Sequence, residues 1–217
     1  MALRPSSPSR KALLDEACKE YHAQLQSDGA GQDYLAKRSL LSSLELGLLG
    51  VVRQPKRGHE RYAGRLAIPY IGPAGNIYDI RYRCLEDHDC RDHGHGKYEG
   101  EPGVQTRLYN SRALLAPTDY IFICEGEIDA LTLGACGWPA VGVPGANAWK
   151  PHHRRCFDAF ADVVVVADGD DAGRKLASTV VRAIPAARSV IMSEGMDANS
   201  IYVQGGKAAL AELLKGE

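Results

Sequence analysis

The chain has 217 residues, 45% of them hydrophobic, so it is long enough to bury the core of one large domain or of two small ones. Its 26 Lys and Arg residues are balanced by 27 Asp and Glu residues. The net charge is therefore too small to attract a polyanion such as nucleic acid, and any basic surface must be local. No apolar run approaches the roughly 20 residues that cross a bilayer, and no signal peptide precedes the six cysteines. We therefore expect a cytoplasmic protein with reduced thiols and no membrane segment.

The first half of the chain has the pattern of a small α+β lobe, predicted over residues 11–115. After residues 1–10, which we predict to be disordered, apolar positions recur at helical spacing over 11–26, and a second short helix is predicted over 33–37. Residues 39–49 are apolar and fit either a further helix or a turn. The alternating segments RLAIPY and IYDIRYRCL follow, separated by the turn signal GPAGN, and predict a β-hairpin.

The second half, residues 116–217, alternates short apolar strands with helical stretches, which is typical of a parallel sheet covered by crossover helices. The predicted strands are YIFIC (120–124), PAVGV (139–143), DVVVVA (162–167) and SVIM (189–192). The predicted crossover helices are residues 128–133, 152–160 and 172–184. We therefore predict an α/β fold, a doubly wound parallel sheet with flanking helices, preceded by the smaller α+β lobe.

Acidic residues follow three of these predicted strands. Glu125 comes directly after YIFIC, Asp168 and Asp170 follow DVVVVA, and Asp197 lies in the loop after SVIM. Each of them alone fits an ordinary helix N-cap or a first-turn carboxylate. Together they predict a site for a divalent ion, because ligands bind outside the carboxyl ends of such strands and Mg²⁺ prefers carboxylate oxygens.

The segments EGEIDAL, VVVVADGDDAGRKLA and GMDANSIYVQGG resemble the Toprim domain that bacterial and phage primases share with type IA and II topoisomerases and several nucleases. The resemblance implies a Rossmann-like Toprim fold in which Glu125 acts as general acid or base or as a metal ligand. It also implies that Asp168 and Asp170 hold Mg²⁺ or Mn²⁺, with Asp197 at the later acidic position of the metal site. Asn199 stands where many bacterial primases have a further aspartate, which leaves open whether one metal ion binds or two.

Basic residues in and after the hairpin are candidates for binding nucleotide and template. They are Arg65, Arg81, Arg83, Lys97 and Arg107. Arg81 and Arg83 are two residues apart and share one face of their strand. On pattern alone, a solvated strand face with loop cations remains an alternative. The segment RLAIPYIGPAGNIYDIRYRCL, followed by GKYEGEPG and RLYN, is similar to the N-terminal lobe of the primase polymerase core, which favours Arg83 and Lys97 as the binding residues.

The resemblance as a whole implies the catalytic core of a DnaG-type primase, which synthesises short RNA primers by metal-dependent nucleotidyl transfer. The partners that this implies are a single-stranded DNA template, ribonucleoside triphosphates, and a replicative helicase or a separate zinc-binding module. The chain has no GxxxxGK[ST] motif, so no helicase motor is predicted within it. A Toprim-type nuclease and a catalytically silent nucleic-acid-binding or regulatory module are the alternatives.

Residues 86–103 are rich in Asp, His and Gly, and we predict a surface loop there. Five possible zinc ligands cluster within twelve residues at its start, namely Cys84, His88, Cys90, His93 and His95. Their spacing departs from the paired Cys-x2-4-Cys and His-x3-5-His arrangements of zinc sites, and Cys84 ends a predicted strand. We therefore predict no zinc site, although the pattern leaves open whether Cys84, Cys90, His93 and His95 bind the ion.

Overall fold

The computed structural model describes residues 7–43, 48–105, 107–145 and 147–215. The chain forms two compact units, Met1–Gln105 and Thr106–Glu217, below called the N-terminal and the C-terminal unit. The boundary after Gln105 comes ten residues before the predicted boundary after residue 115. The reason is that Tyr109 pairs with Gly142 of the C-terminal sheet. None of the helices in the described ranges is both long and apolar enough to span a bilayer.

Two helices open the N-terminal unit, α1 (Pro8–Leu25) and α2 (Gly29–Lys37). The prediction of disorder was wrong for residues 8–10, which form the first turn of α1 because the Ser7 hydroxyl caps it, accepting a hydrogen bond from the Arg10 N–H at 3.2 Å. Residues 1–6 lie outside the described residues. Within the ambiguous segment 39–49, a single 3-10 turn forms at Leu41–Ser43, and residues 44–47 again lie outside the described part.

The N-terminal sheet is antiparallel and has four strands in sequential order. They are β1 (Gly50–Val51), β2 (Leu66–Ile71), β3 (Ile77–Arg83) and β4 (Tyr98–Gly100). The predicted hairpin is present as β2 and β3, with Leu66 opposite Arg83. Strand β4 lies inside the predicted loop 86–103 and pairs Tyr98 with Arg83, so the loop prediction was wrong for residues 98–100.

The C-terminal sheet is parallel, in the order β6–β5–β7–β8. Its strands are β5 (Tyr120–Cys124), β6 (Ala140–Gly142), β7 (Asp162–Ala167) and β8 (Ala187–Ile191). Five of the six residues of β7 are buried, as its unbroken apolar run predicts for a central strand covered on both faces. The prediction of an α/β fold with a parallel sheet is confirmed.

Helices α3 (Glu127–Ala135) and α4 (Asp171–Ala183) are two of the predicted crossovers. The third, predicted over 152–160, is a 3-10 helix at Pro151–Phe157 instead. A long final helix, α5 (Ala198–Leu214), was not predicted. Its helical pattern is interrupted at Gly206, where φ is 66° and the helix kinks.

Candidate active site

The parallel register brings the predicted acidic residues to one edge of the C-terminal sheet. In this register Cys124, the last residue of β5, lies opposite Val166 of β7. Glu125 therefore lies level with Ala167, one residue before Asp168 follows β7. Because β5 and β7 are the two central strands, both carboxylates lie at the middle of the carboxyl edge, where open α/β sheets bind ligands.

Glu125 has an environment that disfavours its negative charge. Its Oε2 atom is buried and has no hydrogen-bond partner among the described residues. Burial, and to a smaller extent the charges of Asp170 and Asp129, together raise the pKa of Glu125 to about 6. These carboxylates thus lie close enough to repel one another, and a cation at this edge would relieve the repulsion.

Asp170 and Asp197 also serve as helix caps. Asp170 Oδ1 accepts a hydrogen bond from the Gly173 N–H at 2.8 Å, at the start of α4. Asp197 Oδ1 accepts one from the Ser200 N–H at 2.7 Å and another from the Ser200 hydroxyl, at the start of α5. The ordinary capping role considered for these residues is therefore present, and it uses one oxygen of each carboxylate.

Gly169 holds the turn between Asp168 and Asp170 against the loop that follows β8. A Cβ atom on Gly169 would lie 1.8 Å from the Ser193 carbonyl oxygen, so the close approach of two backbones requires glycine here. The Gly169 N–H also donates a hydrogen bond to the Met196 carbonyl at 2.9 Å. Gly169 has no positive φ, so its role is this close contact rather than a bend in the backbone.

Asp129 belongs to the acidic centre but was not among the predicted site residues. It lies on α3, is 7% exposed, and accepts a hydrogen bond at Oδ1 from the Asn199 N–H at 3.1 Å. The sequence does contain a signal for it, since Asp129 follows Glu125 by four residues within EGEID. The Asn199 side chain donates a hydrogen bond to Thr132 Oγ1 at 2.9 Å, so Asn199 connects α5 to α3.

In the N-terminal unit, Arg83 is held between aromatic rings. Its guanidinium lies 4.9 Å from the ring centre of Tyr98 and 5.2 Å from that of Tyr34, and it donates a hydrogen bond to the Tyr98 hydroxyl at 2.6 Å. Arg81 lies 5.3 Å from the same Tyr98 ring, and Arg38 lies 4.7 Å from the Tyr34 ring. We call these five residues the cation–π ladder. Arg81 and Arg83 share one face, as predicted.

The other predicted cations have different surroundings. Arg65 is 8% exposed and is committed to an ion pair with Glu99 at 3.2 Å and a hydrogen bond to the Gly96 carbonyl at 3.0 Å. Arg107 belongs to the C-terminal unit, whereas we had placed it in the N-terminal lobe. Lys97 is exposed and lies with Arg83 in the wall of a cavity of about 980 Å³.

That cavity, below called the basic cavity, lies within the N-terminal unit and is lined by charges of both signs. Its basic lining residues are Lys37, Arg38, Arg83, Arg91 and Lys97, and its acidic ones are Asp33, Glu86, Asp87 and Asp89. The cations outnumber the acids by one, and two of them belong to the cation–π ladder. The cavity is therefore a candidate site for a phosphate-bearing ligand.

Comparison with known proteins identifies the family. A family model described as Toprim-like matches residues 122–202, a range that includes all four predicted acidic residues. The Gene 57 protein of Mycobacterium phage D29 is 46% identical over 155 residues, which cover 70% of this chain and 98% of that protein. The DNA helicase/primase of Enterobacteria phage T3 is 36% identical over 100 residues, which cover 42% of this chain and 18% of that protein. The chain belongs to the Toprim primase family.

The fold agrees with this assignment. A solved DnaG primase catalytic domain bound to single-stranded DNA is similar with a TM-score of 0.72 and 21% identity, over 94% of this chain and 80% of that one. The Toprim primase fold therefore includes the N-terminal unit as well as the Toprim domain. The family membership confirms the predicted recognition and the predicted Toprim fold. It does not favour the nuclease or the silent module.

The Cys and His residues that follow β3 lie close together in the N-terminal unit. From the spacing of the Cys and His residues we predicted no zinc site. The structure brings the ligand atoms of Cys84, His88, Cys90 and His95 within 4.8 Å of one another. His93 is not part of this group, although its ring stacks on that of His88 at 4.1 Å. These residues meet because the loop folds back on itself, with the Cys84 N–H bonded to the Lys97 carbonyl.

Proposed function

We propose that this chain is the catalytic core of a DNA primase and joins ribonucleotides into a short RNA primer on single-stranded DNA. The observation that carries the proposal is the buried Oε2 of Glu125, which lacks a hydrogen-bond partner among the described residues and lies near further carboxylates at the carboxyl ends of β5 and β7. Such a group of acids fits phosphoryl transfer, in which charge develops on phosphate oxygens. The relatives described above, a helicase/primase and a primase catalytic domain, point to the same reaction.

Toprim primases use divalent metal ions, and the residues present fit one. Glu125 Oε2 is a buried oxygen in need of a partner, and hard carboxylate oxygens are the donors that Mg²⁺ and Mn²⁺ prefer. We assign Asp168 and Asp170 as the main ligands, with Glu125 and Asp197 completing the set. When bound, the ion supplies positive charge to the reacting phosphate and to the pyrophosphate leaving group.

Glu125 is our candidate for moving the proton. A carboxyl group with a pKa of about 6 is largely ionised at neutral pH and is a better proton acceptor than an ordinary glutamate. In the proposed reaction, Glu125 accepts the proton of the 3′ hydroxyl on the first nucleotide. That oxygen forms a bond to the α-phosphorus of the second nucleotide, and the bond to pyrophosphate breaks. Asp129 keeps α5 against α3 through the Asn199 N–H and so positions the acidic centre.

Arg83 and Lys97 are our candidates for binding the incoming triphosphate in the basic cavity. The two tyrosine rings of the cation–π ladder hold the Arg83 guanidinium in place, so less conformational entropy is lost when it binds phosphate. We assign Arg81 and Arg107 to contacts with template or nucleotide phosphates. We assign Arg65 to holding the loop that carries Lys97, because it pairs with Glu99 and bonds the Gly96 carbonyl.

The proposed partners follow from the reaction and from the relatives. A solved relative is bound to single-stranded DNA, and we propose the same template for this chain, with ribonucleoside triphosphates as substrates. Binding through phosphate contacts is expected to weaken with salt and to depend little on sequence. The phage T3 relative is a helicase/primase, so a replicative helicase is the proposed protein partner.

The test incubates the chain with single-stranded DNA, labelled ribonucleotides and Mg²⁺ or Mn²⁺. Short RNA products are expected. Shortened DNA would instead indicate a nuclease, and DNA binding without either product would indicate a silent module. The variant Asp168→Ala should abolish synthesis while its circular dichroism stays that of the wild type, and Asp171→Ala, an exposed neighbour, should retain synthesis. Retained synthesis in Asp168→Ala would refute the assignment.

A further inference from the structure

We propose that Cys84, His88, Cys90 and His95 bind one zinc ion in the loop between β3 and β4 of the N-terminal unit. Each residue offers one ligand atom, and the four atoms lie within 4.8 Å of one another. Two sulfurs and two imidazole nitrogens are a donor set typical of tetrahedral zinc. The proposal concerns a site apart from the acidic centre and does not depend on the proposed function.

Two distances within the cluster fit ligands around one small ion. The Cys84 Sγ and His88 Nε2 atoms are 3.7 Å apart, and the His88 Nε2 and His95 Nε2 atoms are 3.1 Å apart. With Zn–S of about 2.3 Å and Zn–N of about 2.0–2.1 Å, tetrahedral geometry separates a sulfur from a nitrogen by about 3.6 Å and two nitrogens by about 3.4 Å. The observed separations agree with these values to a few tenths of an ångström.

The orientation of His95 also suits a metal ligand. Its Nδ1 atom lies 3.2 Å from the Gly96 carbonyl oxygen, which can only accept a hydrogen bond. Nδ1 therefore carries the proton, and the lone pair of Nε2 faces the other three ligand atoms. Zinc-bound histidines commonly have this arrangement, in which the second ring nitrogen donates to a carbonyl group. Arg65 bonds the same carbonyl at 3.0 Å and holds it in place.

The loop needs a stabilising element of this kind. From residue 86 to residue 94, every residue is exposed except His88 and Cys90. Cys90 itself is 8% exposed, and the segment offers no apolar side chains that would form a core around it. A bound ion would hold such a loop by linking its two ends and its middle. Binding to two thiols and two neutral imidazoles would release the two thiol protons and leave a neutral Zn(Cys)2(His)2 centre.

The zinc ligands are next to the residues that we propose bind the triphosphate. Cys84 directly follows Arg83, and His95 precedes Lys97 by two residues. Cys84, His88 and Cys90 also line the basic cavity. On the proposed function, the ion would fix the two cations that bind the triphosphate. This consequence rests on that function, whereas metal binding itself is measured separately.

The first experiment measures metal content in the untagged full chain purified without chelator. Elemental analysis after gel filtration is expected to find one zinc per chain in the wild type. The variants Cys90→Ser and His95→Ala should lose it. The matched controls, Cys156→Ser at an exposed cysteine outside the cluster and His93→Ala within the same loop, should keep it. Absence of zinc from wild-type chain that has been loaded with Zn²⁺ would overturn the proposal, as would equal zinc in Cys90→Ser.

A second measurement uses only the wild-type chain, so it tests the site even if the variants do not fold. Co²⁺ is exchanged for Zn²⁺ in the wild-type chain, and the absorption spectrum is recorded. A tetrahedral site with two thiolates is expected to show a thiolate-to-cobalt charge-transfer band and intense visible bands. A spectrum of octahedral cobalt without thiolate bands would overturn the assignment. Loss of zinc from His93→Ala together with its retention in His95→Ala would replace His95 by His93 and refute the four ligands proposed.

Discussion

The acidic centre of the C-terminal unit and the cation–π ladder of the N-terminal unit are built in different ways. Glu125 and Asp168 take their positions from the backbone, because each lies just beyond the end of a central strand in a parallel sheet. Arg83 takes its position from side chains, since its guanidinium lies over Tyr34 on α2 and Tyr98 on β4. A site built from strand ends can be predicted from a strand pattern. A site built from partners in distant segments cannot.

The same contrast explains the different outcomes for the basic residues. Glu99 pairs with both Arg61 and Arg65. Arg65, which we predicted to bind nucleotide or template, is therefore part of a local ion-pair network. Arg83 is also buried, and its described contacts are with the rings of Tyr34 and Tyr98 and with the Tyr98 hydroxyl. The identity of the partner therefore distinguishes a structural arginine from a candidate phosphate ligand.

The largest expected effect is that of Glu125→Gln, which keeps the size of the side chain and removes its charge and its ability to accept a proton. We expect the single-turnover rate of dinucleotide synthesis to fall by about 10²–10⁴-fold. Because burial disfavours the charged form of Glu125, the neutral glutamine should not lower the free energy of unfolding. Glu194→Gln, in the exposed loop after β8, is the control and should keep the wild-type rate. A wild-type rate in Glu125→Gln would remove Glu125 from the mechanism.

Gly169→Ala tests whether the acidic centre depends on the backbone. The new Cβ would lie 1.8 Å from the Ser193 carbonyl, so the turn or the loop after β8 must move. We expect the free energy of unfolding to fall by about 3 kcal/mol, measured by urea denaturation, with loss of primer synthesis. Gly29→Ala has open space around its Cβ and should change stability by less than about 1 kcal/mol. Equal stability of the two variants would show that the close contact at Gly169 is not needed.

Much of the C-terminal fold could be predicted because its strands are unbroken apolar runs. β5 and β7 have the predicted bounds, since each buried apolar run is followed at once by an acidic residue, Glu125 or Asp168. The short strands β1 and β4 were missed. They are two and three residues long, and their pairing with β2 and β3 depends on tertiary contacts rather than on their own pattern.

The site residues that could be predicted are the acidic ones that directly follow a strand of the parallel sheet. Asp129 was missed although it lies one helical turn after Glu125, because a carboxylate near the start of a helix has an ordinary explanation. The Cys/His cluster was discounted for its spacing, because the sequence does not show that the loop folds back and brings Cys84 and His95 together. In both cases the missing information was which side chains face each other.

A smaller effect, on the free energy of unfolding, is expected when the pH is lowered. It comes from His153, whose pKa is shifted by burial. Burial, and to a smaller extent the charges of His152 and Lys150, together lower the pKa of His153 to about 4. Between pH 6.5 and 4 the unfolded chain therefore binds the proton more tightly. The stability that neutral His153 contributes is present above pH 6.5 and is lost as pH falls through that range, on the order of 2 kcal/mol.

Urea unfolding at a series of pH values measures this effect, and His153→Gln should flatten the dependence between pH 6.5 and 4. Glutamine keeps a side-chain acceptor for the Lys150 N–H, which bonds His153 Nδ1 at 3.2 Å. His152→Gln, which replaces the exposed neighbour, is the control and should keep most of the slope. An unchanged slope in His153→Gln would assign the pH dependence to other groups.

The smallest expected effect tests the other side of the comparison, the dependence of Arg83 on its aromatic partners. Tyr34→Leu removes the ring that lies between Arg83 and Arg38, and a cation–π contact contributes about 0.5–2 kcal/mol. If Arg83 binds the triphosphate, the KM for ribonucleotides should rise by about 2- to 30-fold with little change in kcat. Tyr34→Phe keeps the ring and should behave as the wild type. An unchanged KM in Tyr34→Leu would mean that Arg83 is positioned by Tyr98 and its own strand alone. Both sites would then depend mainly on their strands, and the contrast between them would be smaller.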